Sequence, residues 1–119
     1  MILQKEPKKP RKRYLVFKLY SLGESPDFMV LSDYLSKYMR DFLGLHGLID
    51  SSIKLIRYEK TTRYGIIRIA SRDVNKILLG IIRIRKINSE TVSIIPLKLT
   101  GNLNRAIKYL RRIESRPKT

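Results

Sequence analysis

Residues 52–70 read Ser52-Ile53-Lys54-Leu55-Ile56-Arg57-Tyr58-Glu59-Lys60-Thr61-Thr62-Arg63-Tyr64-Gly65-Ile66-Ile67-Arg68-Ile69-Ala70. Two runs rich in β-branched and aromatic residues, 52–58 and 63–70, flank the polar Lys60-Thr61-Thr62 segment, which is the pattern of a β-hairpin. What lies on either side of it sets the topology. Upstream, Ser25 is placed to cap a helix with Pro26 at its first position. Apolar residues then recur at Phe28, Leu31, Leu35, Met39 and Phe42, so a helix is expected that ends near Gly44. The Gly44-Leu45-His46-Gly47 stretch reads as the connection into the hairpin. Before that helix, residues 13–20 alternate, with Leu15, Phe17 and Leu19 on one face and Tyr14, Val16, Lys18 and Tyr20 on the other, which predicts a first strand.

Downstream of the hairpin, Asp73 is a candidate N-cap for a second helix whose apolar positions Val74, Ile77, Leu78, Ile81 and Ile82 follow a 3.6-residue period. Asn88-Ser89 marks a turn. Residues 91–99 read as a fourth strand, in which Pro96 favours an edge position or a bulge. A last helix begins near Asn102, with Leu103, Ile107 and Leu110 as its apolar stripe. The order β-α-β-β-α-β is that of the split βαβ unit, so the expected class is α+β: a ferredoxin-like, RRM-like sandwich with an added C-terminal helix.

In such a fold two helices cover one face of the sheet, and the other face is expected to be open. The first and third strands would lie side by side at its centre, joining Tyr14, Lys18, Tyr20, Tyr64, Ile66 and Arg68 into one patch. Residues 63–69 run parallel to the RRM consensus of a base, aromatics around a glycine and a β run, but Ile66 and Ile69 fill two stacking positions. A patch of this mixture suits either RNA or a protein partner, and the sequence leaves both open.

The length of 119 residues and 43% hydrophobic content fit a single domain over 13–113, with 1–12 as a disordered basic arm and 114–119 as a basic tail. Lys and Arg number 26 against 10 acids, a formal charge of +16, and self-repulsion of that size is relieved by a polyanion. No apolar run of about 18 residues is present to span a bilayer, so no membrane partner is expected. The charged, Pro-containing N-terminus does not resemble a secretory signal, and a cytoplasmic location is expected. RNA-binding candidates are Lys8, Lys9, Arg11, Lys12 and Arg13 in the arm, and Arg105, Lys108, Arg111 and Arg112 on the last helix, where only Glu114 interleaves with the bases.

The sequence is poor in catalytic material. It has no cysteine, and His46 alone titrates near neutrality in its unperturbed state. Asp27, Asp33, Asp41, Asp50 and Asp73 are dispersed, without the spacing of a two-metal site, and no phosphate-cradling glycine loop occurs. No catalytic residue, metal ligand or cofactor site is expected in the chain itself. The competing readings are a ribosomal or other structural RNA-binding protein and a ferredoxin-like RNA endonuclease resting on His46 and the scattered acids.

Several segments in order resemble the archaeal ribonuclease P protein component 2 family: Arg13-Tyr14-Leu15-Val16-Phe17, Gly44 and Gly47, Lys54-Leu55-Ile56-Arg57-Tyr58-Glu59, and most strongly Gly65-Ile66-Ile67-Arg68. The likeness covers about residues 13 to 112. Where that family closes its fourth strand with a Ser-Gly-Thr-like turn, this chain has Leu99-Thr100-Gly101-Asn102. The resemblance implies an RRM-like sandwich that supports a catalytic RNA in removing 5′ leaders from precursor tRNA. It further implies that the RNA and its Mg²⁺ ions perform the cleavage. The implied partners are ribonuclease P RNA, ribonuclease P protein component 3 and other holoenzyme proteins, with precursor tRNA as the substrate of the complex.

Overall fold

The computed structural model describes residues 10–115, and of residues 45–50 the backbone only. In chain order the elements are β1 (Lys12–Ser21), α1 (Phe28–Asp50), β2 (Ser51–Tyr58), β3 (Tyr64–Ser71), α2 (Val74–Ile82), β4 (Lys86–Ile87), β5 (Glu90–Thr100) and α3 (Leu103–Glu114). The strands form one antiparallel sheet in the order β2-β3-β1-β5-β4. The expected α+β sandwich is therefore present, with β1 and β3 side by side. The basic arm drawn as 1–12 ends sooner, because Lys12 already pairs with Ala70 in the sheet.

Alternation along β1 sends Leu15, Phe17 and Leu19 under α1 and α2, where they pack with Leu31, Leu35, Met39, Ile67, Ile69, Ile77 and Ile81. Gly65 is what lets Phe17 lie flat there. A Cβ at that position would stand 2.6 Å from the Arg57 carbonyl and 2.7 Å from the Phe17 ring. The same ring stacks on Tyr58 at 6.2 Å between centroids.

Three local expectations are corrected. The cap of α1 is Asp27, whose Oδ1 accepts from the Val30 amide at 2.9 Å, so Pro26 lies outside the helix. Ser25 is committed elsewhere, since its hydroxyl donates to the Lys60 carbonyl at 3.0 Å and ties the helix entry to the β2–β3 loop. The segment 44–47 is not a loop: helical backbone resumes after Gly44, which kinks the rod at φ 69°, ψ −177° and needs glycine to do so. Asn88 and Ser89, both at positive φ, are the two-residue tip of a hairpin between β4 and β5. With only two residues, β4 has too short a pattern to be read from periodicity.

Pro96 sits where β5 changes register: Lys98 pairs with Val16 but Pro96 with Phe17, so Leu97 is the extra residue of a bulge. On its outer side β5 meets β4 only at Glu90 and Thr91, leaving Pro96 where no ladder donor is required.

The largest correction concerns the sheet face expected to be open. Helix α3 lies across it, and Val16, Ile66, Ala106 and Leu110 form a second buried core. Tyr14, Ile56, Tyr64, Leu97, Leu103, Ile107, Tyr109 and Ile113 pack around this core. Ile66, assigned from sequence to an outward patch, is fully buried beneath the helix and offers nothing to a partner. The physical reason is that the apolar stripe of α3 needs cover, and the aliphatic centre of this face supplies it. Asn102 caps the helix through the Asn104 and Arg105 amides. Its far end is tied to the β2–β3 loop by Thr62 Oγ1 donating to Glu114 Oε1 at 3.4 Å. The helix therefore runs diagonally and leaves two corners of the face uncovered.

Candidate nucleic-acid interface

At the first uncovered corner the register assembles a row from four strands: Lys54 opposite Arg68, Arg68 opposite Tyr14, and Tyr14 opposite Thr100. Two cations directly opposite one another destabilise an antiparallel pair by about 0.2–1 kcal/mol. Among the described residues neither has a salt-bridge partner. Beside this row, Arg11, Lys12, Arg13, Tyr14 and Gly101 line an open cleft of about 590 Å³.

Helix α3 extends the same surface. With Ala106 and Leu110 turned inward, Arg105, Lys108, Arg111 and Arg112 all face solvent. Arg111 and Arg112 complement the negative end of the helix dipole. Arg105 does not, because it stands in the first turn, where no acid is present and a cation is disfavoured. Most described acids lie elsewhere: Asp27, Asp33 and Asp41 on or at the start of α1, Asp73 capping α2, Glu24 and Glu59 in the β1–α1 and β2–β3 loops and Glu90 at the start of β5, while Glu114, on α3 itself, is half-buried against the β2–β3 loop. The sheet thus separates an acid-bearing α1/α2 layer from a nearly acid-free, cationic α3 side.

At the opposite corner the Lys18 ammonium lies between two rings, 5.1 Å from the centroid of Tyr20 and 5.0 Å from that of Tyr64. Lys98 sits 6.0 Å from the ring centroid of Tyr109 on α3. Such placements hold ammonium groups over aromatic faces without neutralising them.

Of the residues singled out from sequence, Arg11, Lys12, Arg13, Tyr14 and Arg68 converge at one corner, and Arg105, Lys108, Arg111 and Arg112 along the adjoining helix. Lys18, Tyr20 and Tyr64 form the other corner, and Ile66 belongs to neither. Lys8 and Lys9, with the rest of 1–9 and of the tail beyond Ser115, fall outside the described residues, as does the His46 side chain. Sequence reasoning passed over Lys54. Its alternation put it on the same face as Arg68, but only the register sets the two side by side.

Two other groups stand out and serve packing. Burial pushes the Tyr58 hydroxyl above its usual pKa, with the Arg63 guanidinium partly opposing the rise. That hydroxyl is buried without a hydrogen-bond partner. Arg63 instead clamps the β1–α1 loop, donating to the Ser21 and Gly23 carbonyls at 3.1 Å each. Burial, followed by the neighbouring Tyr38, likewise raises Tyr34. Among the described residues no three His, Cys, Asp or Glu side chains are grouped to hold a metal ion, and no helix is long and apolar enough to cross a membrane.

The family model described as the Rpp14/Pop5 family matches residues 13–111. Ribonuclease P protein component 2 of Saccharolobus islandicus (strain L.S.2.15 / Lassen #1) is 32% identical over 103 residues, spanning 83% of this chain and 68% of that protein. The protein of the same name from Saccharolobus solfataricus (strain ATCC 35092 / DSM 1617 / JCM 11322 / P2) is 29% identical over the same shares of the two chains.

Proposed function

The chain belongs to the Rpp14/Pop5 family, and from that membership we propose that it works as a protein subunit of ribonuclease P, supporting the catalytic RNA in maturing the 5′ ends of tRNA. The ribonuclease P proteins it resembles imply a holoenzyme of RNA and other proteins. The observation that carries the RNA-binding role is the unneutralised row of Lys54 and Arg68, continued by the cleft of Arg11–Arg13 and the outer face of α3. Cations held together at a cost in stability are relieved by phosphates, and their counterions are released when RNA docks.

Supporting a catalytic RNA asks for no chemistry from the protein. RNA helices that must approach one another repel through their phosphates, and a fixed cationic surface screens that repulsion. The chain's own part is to bind and position RNA. The Mg²⁺ ions of the reaction are assigned to the RNA, as the likeness to ribonuclease P proteins implies. The protein partner, proposed to be ribonuclease P protein component 3, is assigned to the other layer, where Leu79 and Ile82 of α2 and Met29 of α1 expose apolar surface.

Reconstitution tests this reading. The chain alone is expected to leave precursor tRNA intact, and its addition to the cognate RNA with the remaining proteins should lower the Mg²⁺ concentration needed for cleavage. Cleavage by the RNA-free protein, or an unchanged Mg²⁺ requirement, refutes it.

A further inference from the structure

The second uncovered corner differs in chemistry from the cationic row. Tyr20 is 51% exposed and Ile95 41% exposed on the parts of β1 and β5 that α3 leaves uncovered, and Leu22 just beyond is 89% exposed. Lys18 lies opposite both Tyr64 and Ile95, and Tyr20 opposite Ser93, so these side chains share the α3 side of the sheet. Beside them is a cleft of about 370 Å³, whose lining includes Tyr20, Leu22, Arg85, Thr91 and Ser93. That volume is at the lower end of ligand pockets, which run roughly 300–1,000 Å³. The Thr91 and Ser93 hydroxyls make no hydrogen bond among the described residues.

We propose that this corner binds one unpaired RNA nucleotide, its base stacked on Tyr20 and its flanking phosphates held by Lys18 and Arg85. The proposal rests on the RNA-binding role above and adds to it a site for a single-stranded segment. An exposed aromatic ring beside cations is the minimal apparatus for single-strand binding, because every base has a π face and every link a phosphate. The free hydroxyls of Thr91 and Ser93 can meet a base edge as donor or acceptor, so they add contact without imposing a sequence code. A protein partner fits less well, since the centres of protein interfaces are depleted in lysine and here Lys18 occupies the middle of the patch, fixed between two rings. The phosphate row and this corner lie on opposite sides of α3, at the two corners of the face that its diagonal leaves uncovered. An RNA that crosses the helix therefore meets phosphate contacts on one side and an exposed aromatic ring on the other.

The test uses the full chain with two probes, an oligouridylate of about five nucleotides, near the lower limit of single-strand site sizes, and a fully paired RNA stem. Backbone-amide NMR of the wild type should show the oligouridylate perturbing residues 18–22 and 93–95. Tyr20→Ala should weaken oligouridylate binding about five- to hundredfold, the range expected for one stacked base, while Tyr20→Phe retains it and stem binding stays the same in all three proteins. The proposal is overturned by perturbations mapping elsewhere, by Tyr20→Ala binding the single strand as the wild type does, or by Tyr20→Phe losing as much as Tyr20→Ala. It is also overturned if holoenzyme proteins, mixed without RNA, protect this corner. Wild-type protein that binds the stem but not the oligouridylate rejects this site alone, whereas failure to bind either probe rejects the RNA-binding role as well.

Discussion

Reversing the charge of Lys54 should make the isolated protein more stable and its RNA complex weaker, a pairing of opposite signs that few surface substitutions produce. Lys54 is exposed and lies directly across the β2–β3 ladder from Arg68, with no carboxylate to separate them. Two like charges about 6 Å apart in a water-like dielectric repel by about 0.7 kcal/mol. Lys54→Glu replaces that repulsion with an attraction of similar size, and after screening at physiological salt the net gain is about 1 kcal/mol. For a chain of this length that raises the melting temperature by about 3–5 °C. The RNA side follows from counterion release. Losing one phosphate contact reduces the slope of log K against log salt by about 0.9 on duplex, so between 50 and 200 mM salt the variant loses about 3.5-fold less affinity than the wild type, from a lower starting point. Thermal denaturation and a salt series of filter-binding titrations measure the two halves. A melting temperature that falls, or an affinity and slope both equal to the wild type's, refutes the claim that this row is held in place for phosphates.

Truncating Ile66 beneath α3 to alanine should destabilise the fold by about 2–5 kcal/mol in denaturant titration, and a wild-type midpoint would mean the helix does not close that face. Ile66→Asp should for the same reason prevent folding rather than selectively disturb assembly. Gly44→Ala is expected to cost about 1–3 kcal/mol although a Cβ there meets nothing within 4 Å, because φ 69°, ψ −177° is a glycine conformation; an unchanged midpoint would show that α1 straightens freely. Tyr58→Phe removes an unpartnered buried hydroxyl and should be neutral or stabilising by about 1 kcal/mol. Tyr58 and Tyr34 both titrate above the ordinary value of 10.0 in the fold, so the neutral phenols favour the native state. Their contribution is complete below pH 10 and is lost as pH rises through the higher native values, and Tyr58→Phe should make that alkaline loss shallower.

The sequence alone determined the types and order of the seven longer elements. Periods of 2 and 3.6 are local properties, so β1, the β2–β3 hairpin, α2 and the apolar stripe of α3 could each be read without knowing what they touch. Net charge likewise needs no coordinates, and +16 already pointed to a polyanion. Caps and short pieces were less legible because they depend on competition: Ser25 bonds the distant Lys60 carbonyl, leaving Asp27 to cap α1, and β4 exists only through its pairing with β5. The candidate site was decided by tertiary structure for two reasons. Register makes neighbours of Lys54 and Arg68, 14 positions apart in the chain. The docking of α3 hides Val16 and Ile66, leaving Lys18 and Tyr20 at one uncovered corner and Tyr14 and Arg68 at the other. An amphipathic stripe states that a helix must be covered; which surface covers it depends on the apolar area the rest of the fold leaves unburied.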